Sequence, residues 1–534
     1  MISTSEQRES ASAGRPHAWW ERRSFVLAIV LLSALPLLWP SIPPLVDLPG
    51  HMGRYRVELD IGSHPALQQF YGFKWSMIGN LGVDLLIIPV AKIFGIELGT
   101  KLIVLAIPPL TVAGFLWVAR EVHARVPPTA YFAIPFAYGH PFIFGFINFA
   151  LSMAFALLAF GLWLRLARLG HPLMRAAIFI PLSVVIWFTH TFGWGTLGVM
   201  AYSAELVRQF DKGRSLAHSA LRSAWHCLSI APPILLMLAW RSGGHVGGET
   251  GDWFNWRLKY LWIVEALRDR WFLFDLFSLI VGLLVIVNAI RLRPLGLSRN
   301  LAASAIFLAL VYVLLPRIIF GSAYADMRLV PYLIGLGIIA VRLREGASRR
   351  LAGGLAVAAT LFASVRLGAN AASFWMYDRT YDRELGAVAH IPEGARVISF
   401  VQVFCRTHWA MSRLEHLPAI ALVRKRAYSN DQWMMPGGQL LSSRLEGAAG
   451  WRYDPAQQVT EVPCAGEYWR TIDEALRTFP RQAFDYVWLI EPPEFDPALA
   501  KGLQPVWRSG ASVLYRVADR TPPDAPEAVP EEEQ

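Results

Sequence analysis

Charged residues and cysteines are both scarce in this sequence. Only 17% of the 534 residues are Asp, Glu, Lys or Arg, whereas 54% are hydrophobic. A soluble chain of this length needs more charge to cover its surface, so the composition excludes intrinsic disorder, a fibre and a cytosolic enzyme for most of the chain. The three cysteines are too few for a disulfide scaffold or a cysteine-based zinc site. Cys-x-x-Cys, His-Glu-x-x-His and Gly-x-Ser-x-Gly patterns are also missing.

The net charge of +10 does not indicate a nucleic-acid partner. The arginines cluster in short loops between apolar blocks, where they set the orientation of membrane helices. We therefore expect a lipid bilayer and no nucleic acid as partner.

The apolar residues come in blocks of roughly 17–22, the length that crosses about 30 Å of hydrocarbon as a helix. They predict a polytopic α-helical membrane protein with about eleven spans. The predicted spans are 24–43, 99–119, 128–143, 146–164, 176–190, 193–207, 219–240, 271–290, 300–318, 328–344 and 351–368.

A further block, 77–95, is interrupted by Asn80, Asp84 and Lys92. If this block lies at the outer surface, interfacial or re-entrant, every arginine-rich loop falls in the cytoplasm, as the positive-inside rule requires. The N-terminus is then cytoplasmic and the last span delivers the C-terminal region to the outside. The sequence thus predicts a multi-pass protein of the cytoplasmic membrane.

The C-terminal region has a different pattern from the membrane part. Strand-like runs occur at 395–403, 484–490 and 505–516, with helical stretches at 378–390 and 470–478. They predict an extracytoplasmic α/β domain, in which Cys405 and Cys464 could pair. The predicted division is a disordered cytoplasmic N-terminus at 1–18, a transmembrane domain at 19–370 with an outer loop at 44–98, the α/β domain at 371–517 and a disordered tail at 518–534.

The first outer loop carries the most suggestive polar residues. Asp47 directly follows the first span, and a short helix is expected to begin near His51, which brings Asp47, His51 and Arg54 close together. A carboxylate beside Arg and His is a plausible general base for a hydroxyl. The alternative is an amphipathic surface helix whose charges meet solvent and anionic headgroups.

Other polar residues lie at the outer ends of predicted spans. His140, Asn148 and His190 are candidate substrate-binding residues. The alternative is that they are packed, hydrogen-bonded residues between helices. Arg317, Asp326 and Arg328 follow in the loop 316–328, where an arginine suits a phosphate and the alternative is an Asp326–Arg328 surface pair. Secondary candidates are Asp84, Glu249 and Asp252.

Together these residues place a carboxylate, histidines, an amide and arginines at one leaflet. We therefore predict a single site on the outer face. No resident metal or cofactor is predicted, although His51, His140 or His190 with Asp47 could hold a divalent cation.

This arrangement resembles the GT-C type integral-membrane glycosyltransferases. It is similar to their bacterial branch, which is related to protein O-mannosyltransferases and the aminoarabinose transferase of lipid A. Two features of the likeness lie near the N-terminus: one span is followed by an early acidic residue, Asp47, and the run 77–95 ends in Lys-Ile-Phe-Gly before the span 99–119, which ends in Trp-Val-Ala-Arg. A third feature is the sequence Gly-Phe-Ile-Asn-Phe (145–149), which opens a span. The fourth is an odd number of spans before a soluble domain. In the commonest pattern of the family two acids are adjacent, whereas here Asp47 is followed by Leu-Pro-Gly-His.

The resemblance implies that the protein moves a sugar from a polyprenyl-phosphate-linked donor to a glycan, lipid or protein acceptor outside the cytoplasmic membrane. Asp47 would be the catalytic carboxylate, and Arg54 or Arg328 would face the carrier phosphate. The alternatives are a transporter or flippase for a lipid-linked or envelope glycan, and a non-catalytic envelope assembly protein.

Overall fold

The computed structural model describes residues 17–242, 249–405, 408–434, 438–465 and 469–521. The predicted disordered segments 1–18 and 518–534 fall for the most part outside these ranges. The described chain is mostly helical, with a sheet region near its C-terminus.

The α-helices within these ranges are, in chain order, α1 (Arg23–Leu32), α2 (Leu48–Asp60), α3 (Pro65–Phe70), α4 (Gly82–His123), α5 (His140–Phe144), α6 (Ile147–Arg168), α7 (Pro172–Thr189), α8 (Thr191–Phe210), α9 (Leu216–Cys227), α10 (Pro233–Ser242), α11 (Trp256–Val264), α12 (Phe272–Arg291), α13 (Arg299–Leu314), α14 (Val330–Ile339), α15 (Arg349–Glu384), α16 (Ala419–Lys425) and α17 (Ile472–Thr478). The strands are β1 (Tyr71–Phe73), β2 (Leu295–Leu297), β3 (Val341–Leu343), β4 (Val397–Gln402), β5 (Leu441–Ser443), β6 (Gln458–Thr460), β7 (Arg470–Thr471), β8 (Tyr486–Ile490), β9 (Leu503–Ser509) and β10 (Ser512–Val517).

Five helices of the described chain are long and apolar enough to cross a membrane, namely α4, α6, α7, α12 and α15. A sixth crossing results if Leu216–Ile230 and Pro233–Trp240, which meet at a bend of 68°, form one span. These helices coincide with six of the predicted spans, because long uninterrupted apolar sequence has no other way to satisfy its backbone in lipid.

The remaining predicted spans are shorter or irregular. Arg23–Leu37, Arg299–Leu314 and Met327–Ile339 are apolar helices of 10–17 residues. The predicted span 193–207 lies within α8, and 128–143 forms a buried 3₁₀ helix (Pro128–Tyr138) followed by α5. The total of eleven spans stays a prediction, as does the interfacial position of 77–95. Within that block α4 begins at Gly82 and is broken at Gly95, whose φ of 75° is one that glycine adopts readily.

The chain divides into two compact units. Unit 1 contains residues 1–40, 77–86 and 101–374, and unit 2 contains 41–76, 87–100 and 375–534. Unit 1 holds most of the apolar helices, with α8 packed against α6, α9 and α13. The sequence did not predict that residues 41–76, which contain the first part of the predicted outer loop 44–98, would belong to the unit that carries the C-terminal sheet.

Unit 2 is built on a six-stranded mixed sheet with the order β7-β6-β4-β8-β10-β9. Strand β4 is parallel to β6 and β8, whereas β10 is antiparallel to both β8 and β9. Strands β4 and β8 match the predicted runs 395–403 and 484–490. The run 505–516 is a hairpin of two strands that turns at Gly510 and Ala511, and not one strand.

The loop segment 41–76 is an integral part of unit 2. Helix α2 packs against α16, and β1 pairs with β5 in antiparallel register. The Tyr71 ring stacks on Tyr428 with their centroids 5.5 Å apart. Cys405 and Cys464 form a disulfide in the same unit, which realises the pairing that the sequence left open.

Candidate functional site

In unit 2, a buried histidine lies between two carboxylates. The Nε2 atom of His416 is 3.9 Å from Asp47 Oδ1 and 3.9 Å from Asp454 Oδ1. Asp47 directly precedes α2, while His416 comes just before α16, so the packing of these two helices brings the pair together. The contact joins the predicted catalytic carboxylate to a residue that the sequence did not single out.

The hydrogen bonds of His416 indicate its charge. Its Nδ1 lies 2.9 Å from the backbone carbonyl of Asp431, so Nδ1 must carry a proton and donate it, because a carbonyl oxygen only accepts. In the neutral tautomer Nε2 would then present a lone pair to two carboxylates. Burial alone would lower the pKa of His416, but Asp454, Asp47 and further carboxylates raise it above its ordinary value. The raised pKa favours the imidazolium form of His416 over the neutral one.

Asp431 holds this histidine in place. Its side chain accepts hydrogen bonds from the Ala419 backbone N–H at 2.9 Å and from Ser429 Oγ at 2.7 Å. Complete burial raises the pKa of Asp431 to about 6, although His416 and these donors act against the rise. Asp431 therefore fixes the start of α16 and, through its carbonyl, the orientation of His416.

His51 and Arg54 contact the same C-terminal segment. The His51 ring lies 5.0 Å from the Trp433 ring, which in turn lies 4.3 Å from His416. Arg54 Nη1 donates a 2.5 Å hydrogen bond to Gln439 Oε1. All three predicted residues of the first outer loop thus face residues 416–439.

The fit of α2 against this segment is close. A Cβ at Gly50 would lie 2.7 Å from the Trp433 ring, and one at Gly53 would lie 2.8 Å from Gln432 Nε2. Glycine at these positions lets the helix carry Asp47 and Arg54 close to their partners. The first of these two glycines, Gly50, belongs to the Leu-Pro-Gly-His sequence that follows Asp47.

In unit 1, Arg328 and His190 form the centre of a second group of predicted residues. Arg328 Nη1 is 3.5 Å from His190 Nε2, and its guanidinium lies over the Phe146 ring at 4.2 Å from the centroid. Phe149 and Phe192 also flank the guanidinium, at 6.0 and 5.7 Å. Arg328 is thus held by aromatic faces, and its Nη2 donates to Ser322 Oγ and to the Ala323 carbonyl, both at 3.3 Å.

Two more predicted residues of unit 1 have acidic neighbours. His140 Nδ1 is 3.5 Å from Glu265 Oε2, and burial raises the pKa of Glu265 despite the nearby Arg268. Asn148 Nδ2 donates to Asp84 Oδ2 at 3.1 Å, while its Oδ1 accepts from the Val83 backbone N–H. Asn148 therefore ties α6 to the start of α4.

Three of the four remaining candidates of unit 1, namely Asp326, Arg317 and Asp252, are ion-paired. Asp326 and Lys259 form a buried pair at 2.9 Å, and the Lys259 ammonium also donates to the carbonyls of Tyr312 and Leu315. Arg317 hydrogen-bonds Asp252 and thereby lowers the pKa of that carboxyl. Glu249 is exposed, and its backbone carbonyl accepts from Gly321 N–H.

Five of the predicted site residues therefore fall into two groups, one in each unit. Asp47, His51 and Arg54 face His416, Trp433 and Gln439 respectively, whereas His190 and Arg328 lie together in unit 1. That both groups line one chamber stays a prediction. Among the described residues, no group of three or more His, Cys, Asp or Glu side chains has an arrangement suited to a metal ion.

Sequence reasoning missed His416, Asp431 and Asp454 in unit 2 and Lys259 and Glu265 in unit 1. A single His, Asp or Lys in ordinary surroundings carries no local signal. Their partners in space lie far away along the chain.

A scan of protein-family models found no match to this chain, and neither did searches of curated proteins and of solved structures.

Proposed function

We propose that the protein is a membrane glycosyltransferase of the GT-C type. It would transfer a sugar from a polyprenyl-phosphate donor to an acceptor hydroxyl at the outer face of the bacterial cytoplasmic membrane. The apolar helices of unit 1 support a membrane location. The Cys405–Cys464 disulfide supports an oxidising compartment for unit 2, because disulfides persist outside the cytoplasm.

The observation that carries the proposal is the buried pair of Asp47 and His416, with Asp454 on the same imidazole nitrogen. In glycosyl transfer from a lipid phosphate, the bond from the anomeric carbon to the phosphate oxygen breaks and a bond to the acceptor oxygen forms. Asp47 would accept the proton of the acceptor hydroxyl. His416 would be a positioning residue, since its charge holds the carboxylate in one orientation while Asp431 fixes the imidazole.

Arg328 supplies the second element of the proposal. A planar guanidinium grips two phosphate oxygens at once, and it tolerates apolar surroundings better than an ammonium does. In this chain it lies against Phe146 and beside His190. It would stabilise the negative charge that develops on the departing lipid phosphate.

The test replaces Asp47 with Asn and measures transfer from a polyprenyl-phosphate sugar by the purified full chain in lipid. We expect the Asp47→Asn variant to lose about 100-fold or more in turnover, which is the typical contribution of a general base. Asp382→Asn is the matched control, because this carboxylate is exposed in the same unit. Wild-type turnover in Asp47→Asn would remove the catalytic assignment.

The same assay separates the two alternative functions. A flippase or transporter would move the lipid-linked sugar across the bilayer without breaking the phosphate bond, so donor consumption would be absent in wild-type protein. An assembly protein would show neither consumption nor movement of the donor.

A further inference from the structure

A separate cavity in unit 2 lies at the end of the sheet where strands β4 and β8 terminate. Strands β4 and β8 are parallel neighbours, and their carboxyl ends are marked by Gln402 and by Glu491, which follows β8 directly. The cavity there has a volume of about 360 Å³, within the range of small-molecule sites. In sheets with parallel strands, ligands bind outside the carboxyl ends of the strands. None of its lining residues belongs to the Asp47 group.

A fully buried carboxylate lines this cavity. Glu384 is 0% exposed, and its Oε1 accepts a 3.0 Å hydrogen bond from Arg383 Nε. Its other oxygen, Oε2, is also buried and has no hydrogen-bond partner among the described residues. An ionised oxygen without a partner is costly to bury, so a donor from a ligand would be strongly stabilised there.

A second carboxylate stands at the rim. Glu491 Oε1 accepts from Arg383 Nη2 at 2.7 Å, and its side chain is 46% exposed. Its backbone has the left-handed φ of 41°, and its N–H is held by Ser512 Oγ at 2.9 Å. Burial and the nearby Glu384 raise the pKa of Glu491, although Arg383 opposes them. Two carboxylates therefore share one guanidinium, so with both carboxylates ionised the cavity lining has one negative charge in excess.

We propose that this cavity binds a small ligand that carries an ammonium group. One ammonium neutralises the remaining charge and donates to Glu384 Oε2. The Gln402 amide and the Ser509 hydroxyl, which also line the cavity, offer further hydrogen bonds to the polar remainder of such a ligand. The proposal is independent of the glycosyltransferase function, because it concerns a different set of residues.

The experiment compares two probes that differ only in the ammonium group, 4-amino-1-butanol and 1,4-butanediol. Each is titrated into the purified full chain in a non-ionic detergent, and binding is followed by ligand-observed NMR. We expect 4-amino-1-butanol to bind and the diol to show no measurable binding. Failure of the amine to bind, or equal affinity for the diol, would overturn the proposal.

Variants assign the binding to the cavity. We expect Glu384→Gln and Glu491→Gln each to weaken the amine at least about tenfold, as loss of a charged hydrogen bond does. Glu491 is half exposed, so its substitution keeps the test valid if Glu384→Gln does not fold. Glu494→Gln is the matched control, because Glu494 is exposed and outside the cavity. Unchanged amine affinity in the Glu491→Gln variant would refute the assignment.

Discussion

Replacing His416 with Gln should destabilise unit 2, and by more at low pH than at high pH. At an effective dielectric constant of 20, a charge pair at 3.9 Å is worth about 4 kcal/mol, and His416 makes two such contacts. Desolvation of the buried groups offsets part of this, so the net loss should be about 3–5 kcal/mol, as for other broken buried pairs. The expected fall in melting temperature is on the order of 10 °C.

The pH dependence follows from the direction of the pKa shift. The pKa of His416 is raised by its carboxylate neighbours against the effect of burial, so the folded state binds this proton more tightly than the unfolded state does. The stabilisation is fully present below about pH 6.5, the unfolded value, and is lost as the pH rises through the raised folded value. Asp431, whose pKa burial raises to about 6, also titrates near this range, and because His416 lowers that pKa, the loss of the imidazolium raises it further in the variant.

Thermal unfolding of the full chain in detergent, followed by tryptophan fluorescence at about pH 6 and about pH 9, measures this difference. We expect the melting temperature of the wild-type protein to be clearly higher than that of the His416→Gln variant at the lower pH. At the higher pH the two melting temperatures should be similar. His408→Gln is the control, because His408 is exposed in the same unit. A constant gap between the two proteins across this range would refute the titration of His416 that this prediction assumes.

The remaining predictions concern unit 1. Arg328→Lys keeps the charge but loses the planar guanidinium and its contact with the Phe146 ring. We therefore expect the KM for a polyprenyl-phosphate donor to rise about tenfold in the transfer assay. An unchanged KM would place the phosphate elsewhere. Lys259→Met leaves Asp326 as a buried charge without its ammonium, so the free energy of unfolding should fall by about 3–5 kcal/mol, seen as a lower melting temperature. Adding Asp326→Asn to Lys259→Met should restore part of that loss, and no recovery in the double variant would contradict the pairing.

The helices and strands that the sequence predicted well are those with a strong local pattern. The apolar run 146–164 lies within α6 apart from its first residue, and the alternating run 395–403 contains β4. The hairpin within 505–516 was missed although Ser509-Gly510-Ala511 carries a turn signal, and Gly510 has the positive φ of 58° that such turns use. Gly510 is therefore the sequence signal that divides this run into two strands.

The partners of the polar residues could not be predicted in the same way. The sequence suggested a pair of Asp326 and Arg328, which are neighbours in one loop. The structure instead pairs Asp326 with Lys259, a residue of α11 that is distant along the chain. A sequence shows which groups are ionisable, but the choice among distant partners depends on packing that no short window contains.

The surroundings of Asp47 illustrate how partners that are distant along the chain bear on the proposed function. A carboxylate in a loose loop would spend little time in an orientation suited to proton transfer, because each ordered side chain loses conformational entropy. Here the segment that follows Asp47 folds as α2 on α16 and continues into β1, which pairs with β5. The partner of Asp47, His416, is held by Asp431 just before α16, so the same packing that builds unit 2 also orients the proposed base. The C-terminal region would therefore be part of the catalytic machinery, because without it neither the helix that follows Asp47 nor the imidazole beside it would have a fixed position.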